Sequence, residues 1–146
     1  MTTLTVADYL KYANLQMAAE ALYDFDANTN LNLIPGAALL PSNGQTTIPI
    51  TDAWLTTGNR HASTFTPTQV ALSGLTTDWV VVEHKSNTTT GFSGTLFKNK
   101  DDGKLVLSFR STEFIDDTTR DSEATNSLEI DNFGWAFGQI DDMQAW

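Results

Sequence analysis

The sequence predicts an α/β fold in which an N-terminal helix and long loops precede an antiparallel strand meander, and a further helix follows it. Three observations predict this order of elements. Residues 6–25 carry apolar side chains at helical spacing, residues 79–110 contain three strand-like runs separated by short turns, and residues 134–146 return to helical spacing. We therefore expect helices and an antiparallel sheet within one domain.

The composition is that of a folded acidic domain. The 146 residues are 40% hydrophobic and 10% aromatic, which suffices for one modest core. Eighteen acidic residues oppose eight basic ones, and the net charge of -10 argues against sequence-independent binding to nucleic acid and against attraction to anionic lipid. The chain has no cysteine, so disulfides, thiolate metal sites and a catalytic thiol are excluded.

The first predicted helix runs from Val6 to about Phe25. Thr5 is a suitable N-cap, and Asp8 lies in the first turn. A three–four spacing of small and apolar side chains defines one helix face, which we expect to pack on the core. The members of this face are Leu10, Ala13, Met17, Ala21 and Phe25, with Leu22 beside them.

Residues 26–65 are rich in Asn, Thr, Gly and Pro, and this composition predicts long loops. One short strand is expected near Thr47–Ile50. The segment Thr66–Gln69 then has a capping-box pattern with proline at the first helical position, which predicts a short helix through about Leu75.

Three strand-like runs follow, and the turns between them predict an antiparallel meander. The link between the second and third runs contains Asp102-Gly103, a strong hairpin signal. The runs are Trp79–His84, Phe92–Lys98 and Lys104–Arg110.

The third run has apolar residues on both faces. Leu105, Leu107 and Phe109 share one face, and Val106 and Ser108 share the other. Such a pattern is typical of an inner strand that is covered on both sides.

The end of the third run brings an arginine and two small hydroxyl residues together. Where a strand leaves its sheet, backbone N–H groups lose their ladder partners and become available to a ligand. Ser111 or Thr112 could offer both an N–H and an O–H to a developing negative oxygen. Arg110 could anchor the loop by pairing with a nearby carboxylate, although motif chemistry alone favours a purely structural arginine. The candidate carboxylates are Glu113, Asp116, Asp117 and Asp121.

The segment Phe109–Glu113 resembles the F-R-G-[ST] segment of the class 3 (fungal-type) lipases of the α/β-hydrolase superfamily. The flanks VVVEHKSNTTTGFSGTLFKNKDDGKLVLSFRSTEFIDD, RDSEATNSLEI and GWAFGQIDDMQAW are similar to bacterial members, including secreted calcium-binding esterases and polyurethane-degrading relatives. The resemblance covers about residues 78–146. It implies the N-terminal part of an α/β-hydrolase fold and a Ser–His–Asp ester hydrolase, with Thr112 in the oxyanion hole. Ser111 departs from the family, which often has glycine there, and this puts the backbone shape of the loop in question.

The nucleophile elbow G-x-S-x-G that the resemblance requires is absent from the sequence. The nearest string, Gly91–Thr95, lacks the final glycine and opens a hairpin strand, so Ser93 is interpreted as structural. In the family's chain order the nucleophile, acid and base would follow Trp146. The last helix has no C-terminal glycine and no basic last turn, which predicts that the chain is the front part of a larger domain.

We therefore expect a lipase or esterase that acts on a lipid or other ester once it is joined to a C-terminal catalytic part, and that is inactive as the isolated chain. A phospholipase A-type hydrolase and a non-catalytic acidic binding or structural domain are the alternatives. No cofactor is expected, and calcium is possible without being specified. The N-terminus lacks the pattern of a signal peptide, and among locations an extracellular one reached by a leaderless route is favoured over the cytoplasm.

The other polar candidates have simpler interpretations. His61 is expected to be solvated, and His84 to be a packed or edge residue. No histidine pair has zinc-ligand spacing. Asp26–Asn30 resembles the start of a calcium loop but lacks its turn glycine and its bidentate glutamate. Asp101-Asp102 belongs to the hairpin turn, and Asp141-Asp142 is expected on the solvated face of the last helix.

Overall fold

A computed structural model describes most of the predicted elements. The described residues are 3–21, 23, 25–26, 31–32, 38–39, 46–57, 64–85, 88, 90–110 and 136–146. The helices are α1 (Val6–Ala19), α2 (Asp52–Thr57), α3 (Pro67–Ser73), α4 (Leu75–Asp78) and α5 (Phe137–Ala145). The strands are β1 (Phe25–Asp26), β2 (Leu31–Asn32), β3 (Ala38–Leu39), β4 (Ile48–Pro49), β5 (Trp79–Lys85), β6 (Gly94–Asn99) and β7 (Leu105–Phe109).

The predicted antiparallel meander is confirmed. Strands β5, β6 and β7 pair in sequence order, and β3 and β4 both pair with β5, also antiparallel. The register changes between Val81 and Glu83, which marks an irregularity in β5. The two-residue strands β1 and β2 form a separate antiparallel pair. The chain is thus a mixed α/β structure built on an antiparallel sheet.

The β6–β7 hairpin forms where Asp102-Gly103 predicted it. Gly103 adopts a positive φ of 71°, a conformation in which a Cβ would be strained. The side-chain oxygen of Asn99 accepts hydrogen bonds from the amides of Asp101 and Asp102, at 2.9 and 3.2 Å. These local bonds hold the turn in a single register.

Helix α1 begins as predicted and ends earlier. Thr5 and Asp8 form a full capping box, in which each side chain accepts from the other's backbone amide. The helix ends at Ala19 and does not reach Phe25. Its last turn tightens, because Ala21 N–H donates to Ala18 O, and the hydroxyl of Tyr23 donates to the same carbonyl at 2.9 Å.

The predicted apolar face of α1 is confirmed only in part, since Met17 packs against the core and Ala21 is buried. Leu10 is 61% exposed, and Ala13 is exposed as well. The buried face instead consists of Leu15, Ala18 and Ala19. Small residues let the helix approach the sheet closely, and the predicted face depended on residues beyond the true helix end.

Tyr23 is the aromatic centre of the core. Its ring makes edge-to-face contacts with Trp54, His84 and Phe97, at centroid distances of 5.4, 5.2 and 6.3 Å. The other buried apolar residues surround this group: Leu15, Ala18, Ala19, Ala21, Ile50, Leu55, Phe65, Val70, Leu75, Trp79 and Val81. The core therefore lies between one face of the sheet and α1 to α4.

Residues 26–65 contain more regular structure than the predicted loops. The strand expected near Thr47–Ile50 is present as β4, but β2, β3, α2 and the second residue of β1 also lie in this stretch. Strands of two residues carry no alternating pattern, so composition alone could not reveal them.

Helix α3 confirms the capping-box prediction. Thr66 and Gln69 exchange side-chain-to-backbone bonds, and Pro67 occupies the first helical turn. Gly74, at a φ of 69°, ends the helix close to the predicted boundary, and α4 follows at once. Lys100 ties α4 to the hairpin, since its side chain donates to backbone carbonyls of α4.

The prediction that β7 is covered on both faces is wrong for the described residues. Leu105, Leu107 and Phe109 are 57, 47 and 39% exposed, whereas Ser108 is buried. The alternate face packs toward α1, with Val106 half-buried against the core. An apolar run shows that both faces tolerate burial, but it does not show that a second layer covers them.

None of the helices in the described part of the chain is long and apolar enough to cross a membrane.

Candidate functional site at the end of strand β7

Arg110 is held where β7 ends. Its amide donates to the carbonyl of Ser93 at 3.0 Å, one pair beyond the last paired residues of β6 and β7 and in the same register. The residue is buried, at 9% exposure. The strand-end position that the sequence predicted for Arg110 is therefore confirmed.

The predicted catalytic residues Ser111 and Thr112 lie outside the described residues. The carboxylates proposed as partners of Arg110, namely Glu113, Asp116, Asp117 and Asp121, also lie outside them. The same holds for His61 and for residues 27–30 of the calcium-loop-like string. The structure thus describes the approach to the candidate site up to Arg110.

Gln16 is a site residue that the sequence did not reveal. Its side-chain amide donates to the carbonyl of Phe109 at 2.5 Å and so links α1 to the last residue of β7. The two residues lie 93 positions apart, and an exposed glutamine on a helix carries no sequence signal for such a contact. Only the tertiary fold brings them together.

Ser93 has the structural role that the sequence predicted. Its hydroxyl donates to the carbonyl of Lys85 at 2.8 Å, and the side chain is almost fully buried. It stands at the entry of β6, next to Gly94, and not on a turn into a helix. In this environment the Ser93 hydroxyl stabilises the pairing of neighbouring strands, and it does not have the position of a nucleophile.

His84 is a packed residue, as predicted. It is fully buried, and its Nδ1 lies 2.8 Å from the hydroxyl of Thr95 on the adjacent strand. Burial lowers the pKa of the imidazole to about 3, and the positive charge of Arg110 acts in the same direction. His84 is therefore neutral near neutral pH and shielded from solvent, which does not suit a general base.

The opposite face of the sheet carries α5 at this same end. The ring of Trp146 lies against Gly94 and makes an edge-to-face contact with Phe92. Its indole N–H donates to the carboxylate of Glu83 on β5. Phe92 also contacts the ring of Phe109 at a centroid distance of 5.8 Å, so Phe92 links Trp146 of α5 to the last residue of β7.

One predicted feature of α5 requires correction. Asp141 is exposed as expected, but Asp142 is half-buried and accepts a hydrogen bond from the hydroxyl of Thr90 at 2.5 Å. Gln139 donates to the carbonyl of Thr90 at 3.0 Å. The polar residues of α5 thus help to dock the helix on Thr90, which offers both a hydroxyl and a carbonyl.

The described residues contain no group of three or more acidic or histidine side chains that could hold a metal ion. Asp101 and Asp102 are exposed in the hairpin turn, as predicted, where Asp102 accepts from the amide of Lys104 at 2.9 Å.

Comparisons with known proteins found no matching family model, no matching curated protein and no matching solved structure.

Proposed function

We propose that the chain is the N-terminal part of a carboxylic-ester hydrolase of the class 3 lipase type and supplies its oxyanion-hole loop. One observation carries the proposal: β7 ends at a buried, backbone-anchored Arg110, and the next two residues are Ser111 and Thr112. A strand end fixed in this way gives a rigid support to the two hydroxyl-bearing residues that follow it in the sequence. Rigid support matters because an oxyanion donor must be placed before the reaction begins.

In the proposed mechanism, the amide and the hydroxyl of Thr112 donate to the carbonyl oxygen of the ester as it gains negative charge. A serine of the C-terminal catalytic part attacks the carbonyl carbon, and its histidine accepts the serine proton. The alcohol leaves with that proton, and water then releases the acid from the acyl-enzyme. Ser93 and His84 take no part, since both are committed to bonds within the sheet.

The fold of the described residues supports this proposal in two ways. An antiparallel meander leads to the Arg-Ser-Thr segment, in the order that the resemblance implies. Helices cover one face of the sheet, and α5 covers part of the other, which is the layering expected at the start of an α/β-hydrolase domain.

The test is ester hydrolysis by the chain alone and by the chain joined to the polypeptide encoded downstream of Trp146. We expect the joined protein to hydrolyse p-nitrophenyl esters. This activity should be lost when the serine of its G-x-S-x-G motif is replaced by alanine, and also when the downstream polypeptide is removed. A downstream sequence without this motif, or serine-dependent turnover by the isolated chain, would contradict the proposal.

A second candidate function is a non-catalytic acidic binding or structural domain. The exposed apolar side chains of Leu105, Leu107 and Phe109 favour it, because exposed apolar patches mark contact surfaces. The same assay separates the two functions, since a binding domain hydrolyses no ester in either form. If activity is found, a comparison of p-nitrophenyl esters with phospholipid substrates distinguishes an esterase from a phospholipase A-type enzyme.

A further inference from the structure

Strand β7 stands at the end of the main sheet and has one open edge. Within the described part of the chain it pairs with β6 alone. The amide of Arg110 and the carbonyl of Lys104 both bond to the β6 side, and in an antiparallel ladder every second residue bonds to the same neighbour. The backbone N–H and C=O groups of Leu105 and Leu107 therefore point away from β6, and among the described residues they have no hydrogen-bond partner.

The bond between Gln16 and Phe109 shows that this edge is within reach of donors from outside the sheet. Phe109 follows the same alternation, and its carbonyl accepts from the Gln16 side chain at 2.5 Å. The open stretch lies between this bond and the β6–β7 turn. An open edge of this kind is a template for an added strand, whose main-chain groups pair with it.

The side chains beside the open edge are apolar. Leu105, Leu107 and Phe109 are 57, 47 and 39% exposed, on the sheet face opposite to the one that packs on α1. On that face Leu107 stands opposite Leu96 of β6. Side chains of a strand alternate between the two faces, so every second side chain of an added strand would lie beside these residues. The edge therefore suits a segment with apolar residues at alternate positions.

The charges along the edge indicate the kind of segment that it takes. In the paired segments 94–98 and 104–109 the charged residues are Lys98 and Lys104, both exposed, while Asp101 and Asp102 are confined to the turn. Lysines at a sheet edge oppose pairing between two copies of that edge, and copies with a net charge of -10 repel each other. A carboxylate on another protein is attracted by the same lysines, since charges more than about 8 Å away are largely screened at physiological salt.

We propose that the open edge of β7 binds an extended acidic segment of a partner protein, which adds to the sheet as a further strand. Its main-chain groups pair with Leu105 and Leu107, and its alternate apolar side chains cover the exposed side chains of β7. Its carboxylate lies beside Lys98 and Lys104. The inference does not rest on the hydrolase proposal, and it gives the second candidate function, a binding domain, the chemistry of its partner.

The first test is binding of two fluorescein-labelled peptides, Asp-Val-Thr-Val-Thr-Val and the reverse sequence, to the 146-residue chain. The two sequences place the aspartate at either end, because the added strand can run in either direction. We expect at least one peptide to raise its fluorescence anisotropy in a saturable way. Replacing its aspartate by lysine should weaken binding about three- to tenfold. Binding of neither peptide at millimolar chain, or equal binding of the aspartate and lysine forms, would overturn the proposal.

N-methylation of the bound peptide tests the main-chain pairing without altering the protein. Only every second N–H of an added strand points at β7. Methylation of the valine amides and methylation of the threonine amides should therefore differ. We expect one methylated peptide to lose at least about tenfold in affinity, through lost hydrogen bonds, and the other to lose less than about threefold. Equal losses would mean an apolar contact without strand addition, and the proposal would be wrong.

Two substitutions locate the site on the protein. Lys98→Glu should weaken binding of the aspartate peptide about three- to tenfold, whereas Lys85→Glu, a matched change on β5, should not. Leu107→Pro removes one outward N–H at an edge position where proline is tolerated, and it should weaken binding more than Leu107→Ala does. Circular dichroism verifies that each variant is folded, and the methylated peptides decide the matter if Leu107→Pro is not.

The remaining outcomes also bear on the proposal. If Lys85→Glu weakens binding as much as Lys98→Glu, the peptide does not lie at the β7 edge and the proposed site is wrong. If the chain sediments as a dimer that Leu107→Pro dissociates, the occupant is a second copy and not an acidic partner. Ester hydrolysis by the joined protein is measured separately, so failure of this site leaves the proposed function standing, and failure of hydrolysis leaves this site standing.

Discussion

At the residue scale, His84 makes the stability of the protein depend on pH. The imidazole is fully buried beside Thr95, and burial together with the charge of Arg110 lowers its pKa from 6.5 to about 3. Between these pH values the unfolded chain takes up a proton at His84 and the folded chain does not. The free energy of unfolding must therefore fall as the pH falls through this range.

We expect this loss to be visible between pH about 6.5 and about 5, where most carboxylates are still ionised. The measurement is urea unfolding at a series of pH values. His84→Asn, which cannot take up a proton, should flatten the dependence in this window, although it lowers stability overall. His61→Asn, at the other histidine, should keep the slope. An unchanged slope in His84→Asn would show that another group causes it.

Thr112 permits a second prediction at this scale. Thr112→Val removes the hydroxyl and keeps the shape, so in the joined protein we expect kcat to fall more than KM, by roughly a hundredfold for a full oxyanion donor. Thr112→Ser, which restores a hydroxyl, should recover much of the loss in steady-state assays. An unchanged kcat in Thr112→Val would leave Thr112 with its main-chain amide as its only role.

At the scale of elements, the contact between α5 and β6 depends on Gly94. A Cβ at this position would lie 2.7 Å from one ring carbon of Trp146 and 3.2 Å from the next, so the indole must move. We expect Gly94→Ala to lower the free energy of unfolding by about 1–3 kcal/mol, the usual cost of overpacking. Chemical unfolding monitored by circular dichroism measures it.

A double-mutant cycle supplies the control for Gly94. In the background Trp146→Leu the added methyl group loses its main obstacle, since the next neighbour, Phe109 Cδ1, is at 3.4 Å. The cost of Gly94→Ala should then shrink by more than about 0.5 kcal/mol, the usual limit for uncoupled sites. An equal cost in both backgrounds would mean that backbone effects, and not the indole, explain the loss.

The elements that local signals specify were the ones that the sequence predicted well. The capping boxes at Thr5 and Thr66 and the turn glycine Gly103 gave correct starts and a correct hairpin, because each depends on near neighbours. The end of α1 depends on Tyr23, whose hydroxyl binds Ala18 O after the chain has turned back. The buried face of α1 depends on contacts with the sheet. The spacing of apolar residues along α1 gives no information about these contacts.

In the candidate site, too, local features were predictable from the sequence and long-range contacts were not. The sequence predicted Arg110 at a strand end and a structural Ser93, since both follow from strand and turn patterns. The sequence could not predict the hydrogen bond of Gln16 to Phe109, because this bond joins α1 to β7 across 93 residues. Ser111 and Thr112 lie outside the described residues, and their role stays a prediction.

At the scale of the whole molecule, the net charge of -10 creates self-repulsion in the folded state. Dissolved salt screens that repulsion, so we expect the thermal midpoint to rise when sodium chloride is raised from low to moderate concentration at neutral pH. Potassium chloride should raise the thermal midpoint in the same way. An equal rise with both salts would exclude specific binding of one cation as its cause. A midpoint that falls with added salt would show that attractive ion pairs outweigh the repulsion.

The packing of Trp146 on the sheet also affects the order in which the elements fold. The indole bonds to Glu83, 63 residues earlier in the chain, whereas the β6–β7 hairpin closes through a few neighbouring residues. Closing a long chain segment costs more entropy than closing a short one, and distant contacts form more slowly. We therefore expect the β6–β7 hairpin to form first and α5 to dock late. Refolding followed at the indole of Trp146 should then be slower than refolding followed by the formation of the strands.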